Sequence, residues 1–167
     1  SEVVGWTAGL LHGDDAVAGF LTSGGTESIL CGVLAARERA AAERGITEPE
    51  MVVAESAHAA FHKAAHNFGL TLHKAPVKDD WSADVEAMAA LCNENTALVV
   101  GSAPQYPQGV QDDIPAIAAL ADRTGARRVF LMASGTLNRK TDEVAKVAVD
   151  LHVAGGQVDR APDVHAQ

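Results

Sequence analysis

Short apolar runs alternate with helical stretches along most of this chain, and that alternation narrows the possible folds more than any other feature. Ala16 to Leu21, Met51 to Ala54, Leu70 to Ala75, Ala97 to Gly101 and Arg128 to Met132 read as strands. Between them, Ser28 to Arg44, Ser56 to Phe68, Ser82 to Leu91 and Ile114 to Thr124 read as helices, and Glu2 to Leu11 resembles the last turns of an earlier one that ends at His12 to Asp15. The punctuation agrees: Gly45 and Gly69 suit helix C-caps, Ser82 an N-cap, and Pro115 the first turn of a helix. Such an order implies an α/β fold with a mostly parallel sheet flanked by helices and right-handed crossovers. Ligands bind such sheets beyond the carboxyl ends of the strands. Three loops fall there, Thr22 to Thr26, Glu55 to His58 and Ser102 to Tyr106, and their convergence on one edge is the geometric case for a single site.

The first of these loops has the makings of an anion site. Thr22-Ser23-Gly24-Gly25-Thr26-Glu27-Ser28 joins an expected strand to an expected helix. Its two glycines let the backbone turn sharply, and a helix start offers free N–H groups and a positive dipole end. Thr26 and Ser28 add hydroxyl donors. An ordinary βα turn in which Thr26 only caps the helix accounts for the same residues. The third loop, Ser102 to Asp113, holds Pro104, Pro107 and Gly109 and is too rich in proline for a regular element.

Composition excludes some partners. A formal charge of −9 without a basic patch argues against nucleic acid and anionic membrane. With 47% hydrophobic but only 4% aromatic residues, the chain can bury a core that is mainly aliphatic. Cys31 and Cys92 are far apart and lack a CxxC partner, so both are expected as free buried thiols in a reducing compartment. No signal peptide is expected, and no apolar run approaches the ~20 residues of a membrane-spanning helix. A soluble cytoplasmic chain is therefore expected. Ser1 stands where a Met would begin, inside an expected helix, so a preceding part is expected too. His58, His62 and His66 recur every four residues and would share a helix edge, but no acid completes an HExxH pattern, so no metal site is expected. The turn is neither GxGxxG nor GxxxxGK[ST], which weakens a nucleotide-binding reading.

Three segments together resemble one family: Leu21 to Ile29 (LTSGGTESI), Ser56 to Ala65 (SAHAAFHKAA) and Gly101 to Gly109 (GSAPQYPQG). These are similar to the pyridoxal-phosphate-dependent sphingosine-1-phosphate lyases, within the group that includes glutamate and aromatic amino-acid decarboxylases, from about residue 1 to 126. The resemblance implies an aspartate-aminotransferase fold (fold type I) and a homodimer with active sites between subunits. It also implies carbon–carbon cleavage of a phosphorylated long-chain amine to an aldehyde and phosphoethanolamine. Residues 1–132 would then be part of the large cofactor domain, and 133–167 a divergent segment with a helix after Thr141 and a loose tail. Ser23, Gly24, Gly25 and Thr26 would hold the phosphate of pyridoxal phosphate. His58 would stack on its pyridine ring, and Tyr106 would face the substrate as a hydrogen-bond donor or proton carrier.

The resemblance has gaps. Phe130 falls where the family has the carboxylate that pairs with the pyridine nitrogen, and His62 where members usually have Asp. The family's cofactor-linking lysine has no counterpart, since Lys63, Lys74, Lys78, Lys140 and Lys146 lie in other contexts. The expectation is a fragment without catalysis of its own, and the rival from another class is a non-catalytic module that binds a phosphate ligand or a partner. An amino-acid decarboxylase is the further alternative.

Overall fold

A computed structural model of the chain describes residues 2–10 and 18–123. Within these the elements run α1 (Glu2–Leu10), α2 (Gly25–Arg44), β1 (Glu50–Ala54), α3 (Ala59–Phe68), β2 (Thr71–Ala75), α4 (Val85–Leu91), β3 (Thr96–Val99) and α5 (Ile114–Arg123). The break at 12–15, the strand expected at Arg128 to Met132, Phe130, Lys140, Lys146 and the helix after Thr141 lie outside the described residues.

The expected parallel sheet is present, with strand order β2-β1-β3 and both pairings parallel. Met51 lies opposite Leu72 on one side and Leu98 on the other. After Glu50, β1 is apolar from Met51 to Ala54 because both of its faces are covered. Side chains alternate across a strand, so Met51 and Val53 join Val33, Phe61, Ala64, Ala65, Leu70 and Val100 on the α2–α3 face. Val52 and Ala54 join Ala75, Ala83, Met88, Ile117 and Leu120 on the α4–α5 face. The result is three layers around one central strand, with a core that is almost wholly aliphatic.

The helix ends explain where the sheet can be reached. Gly45 and Gly69 both take the left-handed conformation at C-caps, φ 68° and 69°, as the glycine pattern requires. At the far end of α2, Arg44 donates from Nη1 to the Thr96 carbonyl at 2.8 Å and from Nη2 to the Glu94 carbonyl at 3.0 Å, tying the helix to the entry of β3.

Three local expectations change. Residues 18–21, expected as the end of a buried strand, have no regular structure, and Phe20 and Leu21 are 70% and 64% exposed. An apolar run becomes a strand only when a neighbour takes its backbone groups, and no described strand pairs with this one. Ser82 does not cap α4. Asp84 does, its Oδ1 accepting from Ala87 N–H at 3.0 Å, while the N–H and Oγ of Ser82 both donate to Asp80 Oδ1. Cys31 and Cys92 are free, as expected, but only half-buried. Desolvation still pushes the Cys92 thiol pKa upward.

Candidate active site

The strand order creates the place for a ligand. The chain leaves β1 towards β2 on one side, while β3 returns on the other side of β1. A crevice at such a switch point opens at the carboxyl ends of the two strands. The loop after β1 brings His58 to it, and the loop after β3 brings Tyr106. The two rings meet edge to face, with centroids 5.2 Å apart and planes at 73°. Their parent segments are 48 residues apart in the sequence, so only the parallel pairing of β1 with β3 joins them.

His58 is also the N-cap of α3, where its Nδ1 accepts from Ala60 N–H at 3.0 Å. An accepting Nδ1 carries no proton, so the neutral ring holds its hydrogen on Nε2. Capping and aiming thus use one side chain. Tyr106 is 81% exposed and Pro104 follows a cis peptide bond, in a loop whose base is buried. Two residues before His58, the Ser56 hydroxyl is buried with no hydrogen-bond partner.

The Thr22–Ser28 turn starts α2 earlier than expected. Gly24 is the N-cap and makes no side-chain bond, so Thr26 lies inside the first helical turn instead of capping it. The first intrahelical bond runs from Ser28 N–H to the Gly24 carbonyl at 3.1 Å, which leaves the N–H groups of Gly25, Thr26 and Glu27 ahead of it without an intrahelical acceptor. A side chain added at Gly24 or Gly25 would meet open space within 4 Å. Thr22 Oγ1 and Ser28 Oγ are 2.6 Å apart and brace the turn from behind. Ser23 is engaged otherwise than expected: its N–H and its Oγ both donate to Glu27 Oε2 at 2.6 Å. Those bonds hold the Glu27 carboxyl pKa below the usual glutamate range.

These residues fit the phosphate end of pyridoxal phosphate: three free N–H groups, an exposed hydroxyl on Thr26 and two glycines that leave space for an anion. Ser56, two residues before His58, adds a buried hydroxyl without a hydrogen-bond partner. Sequence reading missed Glu27 as the holder of Ser23, because Gly24 is the N-cap and the serine lies four residues before the carboxylate, outside the S-x-x-E capping pattern. It also missed Gln105 and Asp112, whose role depends on burial. His62 and His66 are exposed, and no group of three or more His, Cys, Asp or Glu among the described residues could hold a metal. Lys63, Lys74 and Lys78 are exposed on α3, β2 and the turn after β2.

Comparison with known proteins matches this arrangement to one group. The family model "Aminotransferase class-V" matches residues 7–163. The mouse protein "Sphingosine-1-phosphate lyase 1" is 47% identical over 123 residues, 74% of this chain and 22% of that protein. The "Probable sphingosine-1-phosphate lyase" of Legionella pneumophila is 36% identical over 168 residues, 93% of this chain and 28% of that protein. The solved sphingosine-1-phosphate lyase of Burkholderia pseudomallei superposes with a TM-score of 0.69 at 44% identity, over 75% of this chain and 30% of that one. The family model and the Legionella match both run past residue 126. The chain spans less than a third of the length of these relatives. No helix among the described residues is long and apolar enough to cross a membrane. The parallel sheet flanked by helices is thus that of a fold-type-I scaffold, and the chain belongs to the aminotransferase class-V family.

Proposed function

We propose that this chain is part of the cofactor domain of a carbon–carbon lyase that takes a phosphorylated long-chain amine as substrate and pyridoxal phosphate as cofactor. The observation that carries the reading is the meeting of His58 and Tyr106 at the carboxyl edge between β1 and β3, within a chain resembling sphingosine-1-phosphate lyases in sequence and in fold. Pyridoxal phosphate, when bound, supplies the electron sink that carbon–carbon cleavage needs. The N–H groups of Gly25, Thr26 and Glu27 bind its phosphate, with the Thr26 hydroxyl beside them. Ser23 joins them if Glu27 releases it. His58, fixed by its cap to α3, presents its ring as a wall that restricts tilt. Tyr106 holds its hydroxyl at the open side, where it donates a hydrogen bond or passes a proton to substrate. The reading brings with it a homodimer and a cytoplasmic setting.

Titrating the 167-residue chain with pyridoxal phosphate, and following the absorbance of the bound cofactor, tests this. Saturable binding is expected, weakened about tenfold by Thr26→Ala, the loss of one hydrogen bond to a charged group. His58→Asn, which keeps a capping side chain, should weaken it without loss of α3. Absence of saturable binding by the unaltered chain overturns the reading. The exposed positions of Lys63, Lys74 and Lys78 favour a second reading for the isolated chain, a phosphate-ligand module without catalysis. Borohydride treatment tests the second reading: cofactor that stays dialysable agrees with a chain that lacks the linking lysine, and cofactor fixed to a lysine overturns the absence of catalysis.

A further inference from the structure

The loop that carries Tyr106 is held by two buried polar side chains that the proposed chemistry does not use. Asp112 is 3% exposed, yet its carboxylate is fully engaged: Oδ2 accepts from Ser102 N–H at 2.8 Å and Oδ1 from Ala83 N–H at 2.9 Å. Its own N–H donates to the Ser102 carbonyl at 3.0 Å. Ser102 and Asp112 therefore close the base of the loop, and the same carboxylate ties that base to the segment before α4.

Gln105 works one residue away from Tyr106. It is 2% exposed, its N–H donates to the Val110 carbonyl at 2.9 Å, and its carbonyl accepts from Gly109 N–H at 3.2 Å. Its carboxamide reaches in two directions, with Oε1 accepting from Gln108 N–H at 3.2 Å and Nε2 donating to the Trp81 carbonyl at 3.0 Å. Trp81 is held at φ 69°, a left-handed conformation that a bulky residue adopts only when its surroundings impose it. Tyr106 itself is exposed, and its ring meets only His58 among the aromatic pairs of the described residues. A ring so exposed cannot be aimed by packing, so its direction is inherited from the backbone beneath it.

We propose that Gln105 and Asp112 are positioning residues that aim Tyr106 at His58, by locking the Ser102–Asp113 loop to the Trp81–Ala83 segment. The proposal rests on the reading of Tyr106 as a substrate-facing residue, and it deepens that reading by naming what makes the residue's direction reproducible. Neither side chain touches the reacting atoms.

The test is made on the 167-residue chain by two-dimensional proton NMR, without cofactor. Tyr106 is the only tyrosine, so its ring signals identify themselves, and a cross-peak to a histidine ring that vanishes in His58→Asn belongs to the pair. Gln105→Glu keeps the acceptor towards Gln108 but sets a carboxylate against the Trp81 carbonyl. Asp112→Asn keeps the shape but turns one acceptor into a donor facing N–H groups. Each should weaken the cross-peak at least twofold in chains whose amide spectrum remains folded. Gln111→Glu, an exposed site in the same loop with the same change of charge, should leave it intact. Should Gln105→Glu unfold the chain, Gln105→Met supplies the same comparison with the carboxamide bonds removed. A cross-peak of unaltered strength in Asp112→Asn and in either Gln105 variant overturns the proposal, as does its absence from the unaltered chain. Failure of the unaltered chain to bind pyridoxal phosphate while the cross-peak responds as described would sink the lyase reading and leave the positioning role standing.

Discussion

Two loops are built in opposite ways. The Thr22–Ser28 turn closes on itself: its bonds run among Thr22, Ser23, Gly24, Glu27 and Ser28, and most of its residues are exposed. The Ser102–Asp113 loop reaches through Gln105 and Asp112 to the Trp81–Ala83 segment, and its anchors are buried. The difference suits what each is proposed to present. A backbone that grips an anion needs its N–H groups unoccupied and open, which a self-contained turn provides. A single side chain that must point in one direction needs a foundation, and a foundation in a protein interior consists of satisfied buried polar groups.

The contrast is broken most severely at Asp112. Asp112→Ala leaves the Ser102 and Ala83 N–H groups without their acceptor, and the expected loss is about 3 kcal/mol of folding stability, read from urea unfolding. A loss below ~1 kcal/mol would mean that the loop is no better founded than the turn. Gly101→Ala, just ahead of the same loop, comes next. A Cβ there meets Ile117 Cδ1 at 2.9 Å and Ile114 Cδ1 at 3.0 Å, and shifting those two methyl ends costs roughly 1–2 kcal/mol. The matching change in the turn should do almost nothing to stability. Gly24 is extended at φ 168° with open space around it, so Gly24→Ala should stay within about 0.5 kcal/mol of the unaltered chain in the same urea experiment.

The smallest effect is one of sign in acid. Hydrogen bonds from Ser23 lower the Glu27 pKa, so its stabilising contribution is present above the usual glutamate range and is lost as pH falls through the lowered value. Burial raises the Asp112 pKa, against the pull of its two N–H donors, so its contribution is fully present below the usual aspartate range and is lost as pH rises through the raised value. Comparing stability between pH 3 and pH 7, Glu27→Gln should remove a slope that rises with pH and Asp112→Asn one that falls. Slopes of the same sign would show that the two carboxylates share one kind of environment.

How much of this was legible in the sequence follows the same division. The apolar period of β1, the glycines at 45 and 69 and the proline-rich loop all announce themselves locally, because each depends on a residue and its near neighbours. His58 and Tyr106 could be placed at one edge as soon as parallel strands were expected, since that topology sends both following loops to the same side. The run before Leu21 misled because hydrophobicity says that a segment avoids water but not which strand will pair with it. Ser82 misled because Asp80 and Asp84 offered competing oxygens within two residues. Gln105 and Asp112 could not be read at all. A polar residue in a polar loop is ordinary until it is known to be buried, and burial here is made by segments more than twenty residues away.

The long helix α2 gives the glycine turn one more property. Its 20 residues make a rod about 30 Å long, with the end proposed to grip an anion at Gly25 and the Arg44 guanidinium clasping two carbonyls at the other. Such a rod is a lever: a tilt of ~2° about the Arg44 end displaces the Gly25 end by ~1 Å, by the same 1.5 Å rise per residue that sets its length. A ~1 Å misplacement is already enough to spoil the alignment of a reacting group. The proposed cradle therefore depends on contacts a full helix away from it, the Arg44 clasp on the chain entering β3 among them, at a place where no ligand would touch it.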